Sequence, residues 1–94
     1  MATFFLFGNY TSEAIKEMSI ERTQQVVSEI KKLGGEVQAT HALLGEHDLL
    51  FCVKLPDVEI AIKASIALNR LTGISFTTCP AVTIETFDQM ISEK

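Results

Sequence analysis

The sequence contains no tryptophan, one tyrosine, two prolines and two cysteines, and only eight of its 94 residues are lysine or arginine. Its formal net charge is −4, so it lacks the basic stripe that nucleic-acid binding requires. The few basic residues are scattered along the chain, which argues against a patch for an acidic membrane surface. We therefore expect no nucleic-acid partner and no membrane partner.

Long apolar runs are also missing, since none approaches the roughly 18 residues that a membrane-spanning helix needs. The apolar start, residues 1–7, has no positively charged segment before it and runs directly into a polar turn. That pattern is unlike a secretory signal peptide. A cytoplasmic location is the resulting expectation.

Catalytic motifs are lacking as well. There is no glycine-rich phosphate loop, no paired-carboxylate spacing and no nucleophile elbow. Cys52 and Cys79 do not form a Cys-x-x-Cys pair, and a cytosolic setting favours reduced, buried thiols over a disulfide. The sequence thus predicts no metal and no cofactor, and it identifies no catalytic residue.

Apolar residues, by contrast, are abundant. They make up 47% of the chain, and the mean hydropathy is +0.24. A chain of this length forms one domain, which we expect to span residues 1–94. So much apolar side chain is more than a small monomer needs for its core, and it indicates an interface with a partner.

Periodicity and turn residues predict a regular succession of elements. These are a strand at 3–10, a loop or single helical turn at 11–18, a helix from a Ser19 cap to about 33, a strand at 36–44, a turn at 45–48, a strand at 49–55, a helix at about 58–71 after an Asp57 cap, a strand at 74–79 and a terminal helix at 83–92 with Thr83 as its cap.

Burial follows from the same pattern. The first and third strands carry unbroken apolar runs and should be central, whereas Pro80 and the polar residues of 36–44 indicate edge strands. Strict alternation within 36–44 puts Val37 and His41 on one face. Ile62 and Ile66 broaden the buried stripe expected for the second long helix.

This order of elements is the βαββαβ pattern of the α+β, ferredoxin-like fold, followed by a tail helix. Right-handed crossovers give an antiparallel four-stranded sheet in the order 4-1-3-2. Both long helices then cover one face, while apolar residues remain on the other: either Phe4 and Leu6, or Phe5 and Phe7. A second copy is the simplest cover and predicts a homodimer through the sheet face. A small apolar ligand or another protein in a cavity is the alternative, and further association through the edge strands is left open.

The pattern resembles the GYD domain family, small proteins with a dimeric α/β-barrel, ferredoxin-like fold. The resemblance covers roughly residues 3–88. It rests on segments 7–11 (FGNYT), 33–37 (LGGEV) and 44–48 (LGEHD), the last carrying Gly45 and Asp48 but His47 where the family has tyrosine. The family has no settled biochemical role, so the resemblance implies the fold and adds little about function.

Candidate site residues lie at the end of the first strand, on the second strand and in the turn that follows it. His47 and Asp48 provide either an imidazole–carboxylate pair or a solvated turn with Asp48 bonded to backbone amides. Asn9 and Tyr10 either orient a small ligand or form a polar strand exit. His41 is either a partner of His47 or a satisfied strand histidine.

These candidates leave three classes of function open. The leading one is a homodimeric module that binds a small ligand or regulates a protein partner. The alternative is a cofactor-free enzyme of the dimeric α/β-barrel type, monooxygenase-like or isomerase-like, with a small apolar substrate. The third is an assembly unit with a structural role.

Overall fold

A computed structural model describes residues 1–92 of the chain, apart from the side chain of Glu17. The strands and helices follow one another along the chain largely in the predicted order. In chain order they are β1 (Ala2–Asn9), α1 (Ser12–Glu17), α2 (Ile20–Lys32), β2 (Glu36–Ala42), β3 (Leu49–Leu55), α3 (Val58–Thr72), β4 (Ser75–Ala81) and α4 (Ile84–Ser92).

The helix starts follow from local capping chemistry. Ser19, Asp57 and Thr83 each accept, through a side-chain oxygen, the backbone N–H of the residue three positions later, at 2.8–3.2 Å. These bonds satisfy N–H groups that a helix leaves free in its first turn. The three predicted caps are confirmed. Residues 11–18, for which the sequence allowed a loop or a single helical turn, contain the short helix α1.

The strands form one antiparallel sheet in the order β2-β3-β1-β4. This is the predicted order read from the opposite edge, so the α+β, ferredoxin-like prediction is confirmed. The two strands with unbroken apolar runs are central. Pro80 lies within the edge strand β4, opposite Phe4, rather than at the exit of that strand.

Both long helices pack on one face of the sheet and form the core there. Side chains that point to this face are almost completely excluded from solvent. From the strands they include Phe4, Leu6, Phe51, Val53 and Leu55, and from α2 and α3 they include Val26, Ile30, Ala61, Ala64 and Leu68.

The residues that alternate with these core positions point to the other face. We call this surface the open face and define it by Phe5, Phe7, Leu50, Cys52 and Cys79. All five are only half-buried, and no described helix packs extensively on them. The central strands are therefore apolar on two faces, of which the described chain covers one.

The predictions for β2 and for the outer stripe of α3 are wrong. A β-bulge between Val37 and Ala39 shifts the register, so Val37 lies opposite core residue Val53 whereas His41 lies opposite Leu50 on the open face. Ile62 and Ile66 are 57% and 49% exposed, because α3 approaches the sheet through a narrower stripe built on small side chains. No helix within residues 1–92 is long and apolar enough to cross a membrane.

Candidate functional site

The loop between β2 and β3, residues 43–48, closes over the end of β1. The backbone N–H of Asp48 donates to the carbonyl oxygen of Gly8 at 2.9 Å, and the N–H of Leu43 donates to the carbonyl oxygen of Asp48 at 2.8 Å. These bonds extend the sheet pairing beyond the ends of the strands. They place the two adjacent loop residues, His47 and Asp48, beside the exit of β1.

The Asp48 side chain binds backbone rather than another side chain. Its Oδ2 accepts the N–H of Tyr10 at 2.9 Å, in partly buried surroundings. Of the two hypotheses for Asp48, the structure therefore shows the one in which the carboxylate satisfies a backbone amide. A carboxylate held in this way ties the loop to the first strand and positions the residues on either side of it.

His47 turns towards the open face. Its ring centroid lies 4.9 Å from that of Phe7, and its Nδ1 lies 3.2 Å from Oδ1 of Asn9. An amide oxygen only accepts hydrogen bonds, so Nδ1 of His47 is the donor in this contact. His47 and Asn9 thus form a polar pair at one end of the open face.

The remaining predicted histidine, His41, lies on the edge strand β2 and is exposed. Its register opposite Leu50 puts it on the same face of the sheet as Phe7. Within the described part of the chain, no group of three or more histidine, cysteine, aspartate or glutamate residues could hold a metal ion.

Tyr10 lies at a small cavity of about 150 Å³ where the α1–α2 connection meets β2 and β3. Burial raises the pKa of its phenol above the ordinary value of 10.0, and the negative charge of Asp48 raises this pKa further. The phenol is therefore a hydrogen-bond donor at neutral pH. The cavity is lined by Tyr10, Met18, Thr23, Thr40, His41, Ala42, Leu49 and Phe51.

Both cysteines are free thiols on the open face. Phe5 pairs with Cys52 on β3 and with Cys79 on β4, so the two thiols flank this ring. Two strand spacings separate them by about 9.5 Å, which is beyond disulfide reach. The predicted burial is wrong because both thiols are only half-buried.

The structure brings together His47, Asn9 and Phe7, and separately Tyr10 and Asp48. Among these, sequence reasoning did not identify Phe7 as a site residue, nor Phe5 and Leu50 on the same face. The continuous apolar runs of β1 and β3 were the available signal. They could not decide which alternate set faces the helices, because a shift of one residue exchanges the two sets.

The fold and these contacts define a ferredoxin-like α+β domain whose apolar open face ends in a polar histidine–asparagine pair. The chain belongs to the GYD domain family, whose model matches residues 4–91. The predicted family resemblance is thereby confirmed. No curated protein matched the sequence.

Two solved structures share the fold at very low sequence identity. One is the Mycobacterium tuberculosis leucine response regulatory protein LrpA, with a TM-score of 0.58 and 7% identity over 87% of this chain. The other is a single-residue mutant of the protein Rv3291c, with a TM-score of 0.59 and 6% identity over 88% of this chain. The matches cover 51% of each of those chains, so the present chain spans about half of their length.

Proposed function

We propose that this chain is a cytoplasmic, homodimeric binding and regulatory module, formed as one domain by residues 1–94. Two copies meet through their open faces and enclose a site for a small apolar ligand at the end marked by Asn9 and His47.

The half-buried apolar open face carries this proposal. Phe5, Phe7 and Leu50 lie on the two central strands, so their side chains form a continuous surface rather than scattered contacts. Full burial of each such side chain is worth about 1.5–3 kcal/mol. A second copy covers the surface with an identical surface, which is the usual geometry of a two-fold dimer.

The polar pair at the end of the open face supports a ligand with one polar group. The imidazole of His47, whose Nδ1 contacts Asn9, is one polar group there, and His41 is a second imidazole on the same face. Tyr10 and Asp48 contribute by holding the loop that carries His47. Apolar pockets with a few placed polar groups are the usual form of small-molecule sites.

The regulatory part of the proposal rests on one of the two solved neighbours. It is named as a leucine response regulatory protein, and this chain matches about half of its length. At 7% identity the likeness concerns the fold. It supports a role in which a ferredoxin-like domain senses a small molecule, with regulation exerted through a further protein.

The test is native mass spectrometry of the protein taken directly from cells, together with sedimentation of wild type and of Phe5→Glu. Wild type should be a dimer carrying an additional small mass, and Phe5→Glu should be a folded monomer because it places a charge at the centre of the open face. The matched control is Ile20→Glu, a residue that is 76% exposed at the start of α2. It should remain dimeric.

The outcomes separate the two parts of the proposal. A dimer without any bound small molecule, before and after incubation with hydrophobic extract from the cells, would contradict ligand binding while leaving the dimer intact. A wild-type monomer at every concentration would contradict the dimer. Circular dichroism shows whether each variant remains folded.

A cofactor-free enzyme is the second candidate, and the cavity beside Tyr10 is the observation that favours it. A phenol whose pKa is raised stays protonated and can donate a hydrogen bond to a small substrate. Turnover of a candidate apolar substrate that is lost in Tyr10→Phe, with the dimer unchanged, would support this function over binding alone.

A further inference from the structure

The C-terminal helix α4 lies apart from the rest of the described chain. It has no extensive contact with any other helix or strand, and none of its residues is buried. The radius of gyration is 14.3 Å, whereas a compact chain of this length has about 12 Å. The longest dimension, 51 Å, is well beyond the other two, 30 and 18 Å. The helix therefore forms a projecting arm.

This arm is strongly amphipathic. Its apolar residues are spaced to form one stripe along the helix. Glu85, Asp88 and Gln89 fall outside this stripe. The stripe consists of Ile84, Phe87, Met90 and Ile91, which are 69%, 47%, 61% and 66% exposed. A nine-residue helix is only marginally stable in water without packing. The stripe therefore requires a partner surface.

The size of the open face points to a second copy as that partner. Four strands of about seven residues make a face of roughly 440 Å². Two such faces have a projected area of roughly 900 Å² together, which is small beside the accessible surface of about 1,200–2,000 Å² that a stable interface buries. A helix of this length covers a strip about 13.5 Å by 10 Å. Two arms and the surfaces receiving them raise the projected area to roughly 1,400 Å².

The position of the arm also fits an exchange between copies. Thr3 pairs with Lys54 and with Ala81, and Lys54 pairs with Glu36, so β2 begins at the same end of the sheet at which β4 ends. A two-fold axis along the strands brings β2 of the second copy opposite β4 of the first. The arm then emerges beside the C-terminal end of α2 in the second copy.

The charges at these two places are opposite. The arm carries Glu85 and Asp88 and has no basic residue in its last turn, whereas α2 ends in Lys31 and Lys32. Complementary charges of this kind orient an interface and disfavour alternative arrangements. In this two-fold arrangement they give the acidic side of the arm a basic counterpart in the second copy.

We propose that α4 is an exchanged arm, which packs Ile84, Phe87, Met90 and Ile91 onto the second copy and makes the sheet-face dimer stable. This inference rests on the dimer of the proposed function. It adds that the open faces alone do not hold the two copies together tightly, and that removal of the arm leaves a weak dimer.

The test compares dimer dissociation constants by sedimentation for wild type, Phe87→Glu and a chain ending at Val82. Gln89→Glu is the matched control, because it adds the same charge to the polar side of the same helix. Phe87→Glu and the shortened chain should each raise the dissociation constant at least tenfold. The control should stay within about twofold, and hydrogen exchange should show α4 amides protected only at concentrations where the dimer forms.

Each alternative result of this test leads to a different conclusion. An unchanged dissociation constant with unprotected α4 amides would overturn the arm and leave the sheet-face dimer standing. Protected α4 amides at concentrations where the protein is monomeric would show that the helix packs on its own chain, and would also overturn the arm. A wild-type monomer at all concentrations would remove both the arm and the dimer.

Discussion

The carboxylate of Asp48 lies 2.9 Å from the backbone nitrogen of Tyr10, which is 38 residues earlier in the chain. This hydrogen bond ties the β2–β3 loop to the exit of the first strand. It also explains why two adjacent loop residues have different roles. Asp48 anchors the loop, and His47 beside it contacts Phe7 and Asn9 on the open face.

Replacement of Asp48 by alanine should therefore destabilise the protein. Loss of a hydrogen bond to a charged acceptor costs about 1.5–3 kcal/mol, and the partly exposed position brings the expected loss to about 1–2 kcal/mol. Urea unfolding measures the change. Asp48→Asn retains an acceptor and should lose less. Glu46→Ala, an exposed acidic residue of the same loop, should be neutral, and equal effects of the two alanine variants would contradict the anchoring role.

The phenol of Tyr10 should titrate above pH 10.0, because burial and, secondarily, the charge of Asp48 raise its pKa. The chain has one tyrosine and no tryptophan, so ultraviolet absorbance reports this group alone. Asp48→Asn should lower the pKa only partly, since burial is the larger cause. A wild-type pKa at or below 10.0 would contradict the buried environment.

The raised pKa of Tyr10 also fixes the direction of a stability change. The folded state retains the phenolic proton at a pH where the unfolded state, with its pKa near 10.0, has begun to lose it. The contribution of this group to the free energy of unfolding is therefore complete below pH 10 and is lost as the pH rises through the folded-state pKa. Tyr10→Phe should lack this alkaline component in pH-dependent unfolding.

Gly35 should not tolerate a side chain. A Cβ at this position would lie 2.8 Å from the carbonyl oxygen of Lys54 and would also overlap the Leu55 side chain. This close approach gives a physical reason for glycine in the helix-to-strand junction that carries part of the family resemblance. Gly35→Ala should reduce the free energy of unfolding by about 1–3 kcal/mol. Urea unfolding measures this change, and an unfolding midpoint equal to that of wild type would contradict the close approach.

The labelling rates of Cys52 and Cys79 should show whether a second copy covers the open face. Both are half-buried beside Phe5, so a thiol reagent should label them slowly in dilute protein. Labelling should become slower still as the concentration rises and the dimer forms. The single variants Cys52→Ser and Cys79→Ser separate the two rates, and unfolded protein gives the upper limit. Rates independent of concentration would mean that neither thiol lies in an interface between copies.

The amino-acid sequence by itself determined the order of elements, the three helix caps and the identity of the central strands. Each of these depends on neighbours within a few positions, such as Ser19 with its third-following N–H, or on the length of an apolar run. Topological rules then sufficed for the strand order, because few connections satisfy a right-handed crossover. The GYD family assignment rested on similarly local segments.

Only the tertiary structure decided what depends on register and on distant contacts. The bulge after Val37 moved His41 to the open face, and an unbroken apolar run could not show that Phe5 and Phe7, rather than Phe4 and Leu6, would lack helical cover. The bonds of Asp48 to Tyr10 and of His47 to Asn9 span 38 residues each, so no local pattern encodes them. Side-chain periodicity reports which residues share a face, whereas packing of the whole chain decides which face is covered.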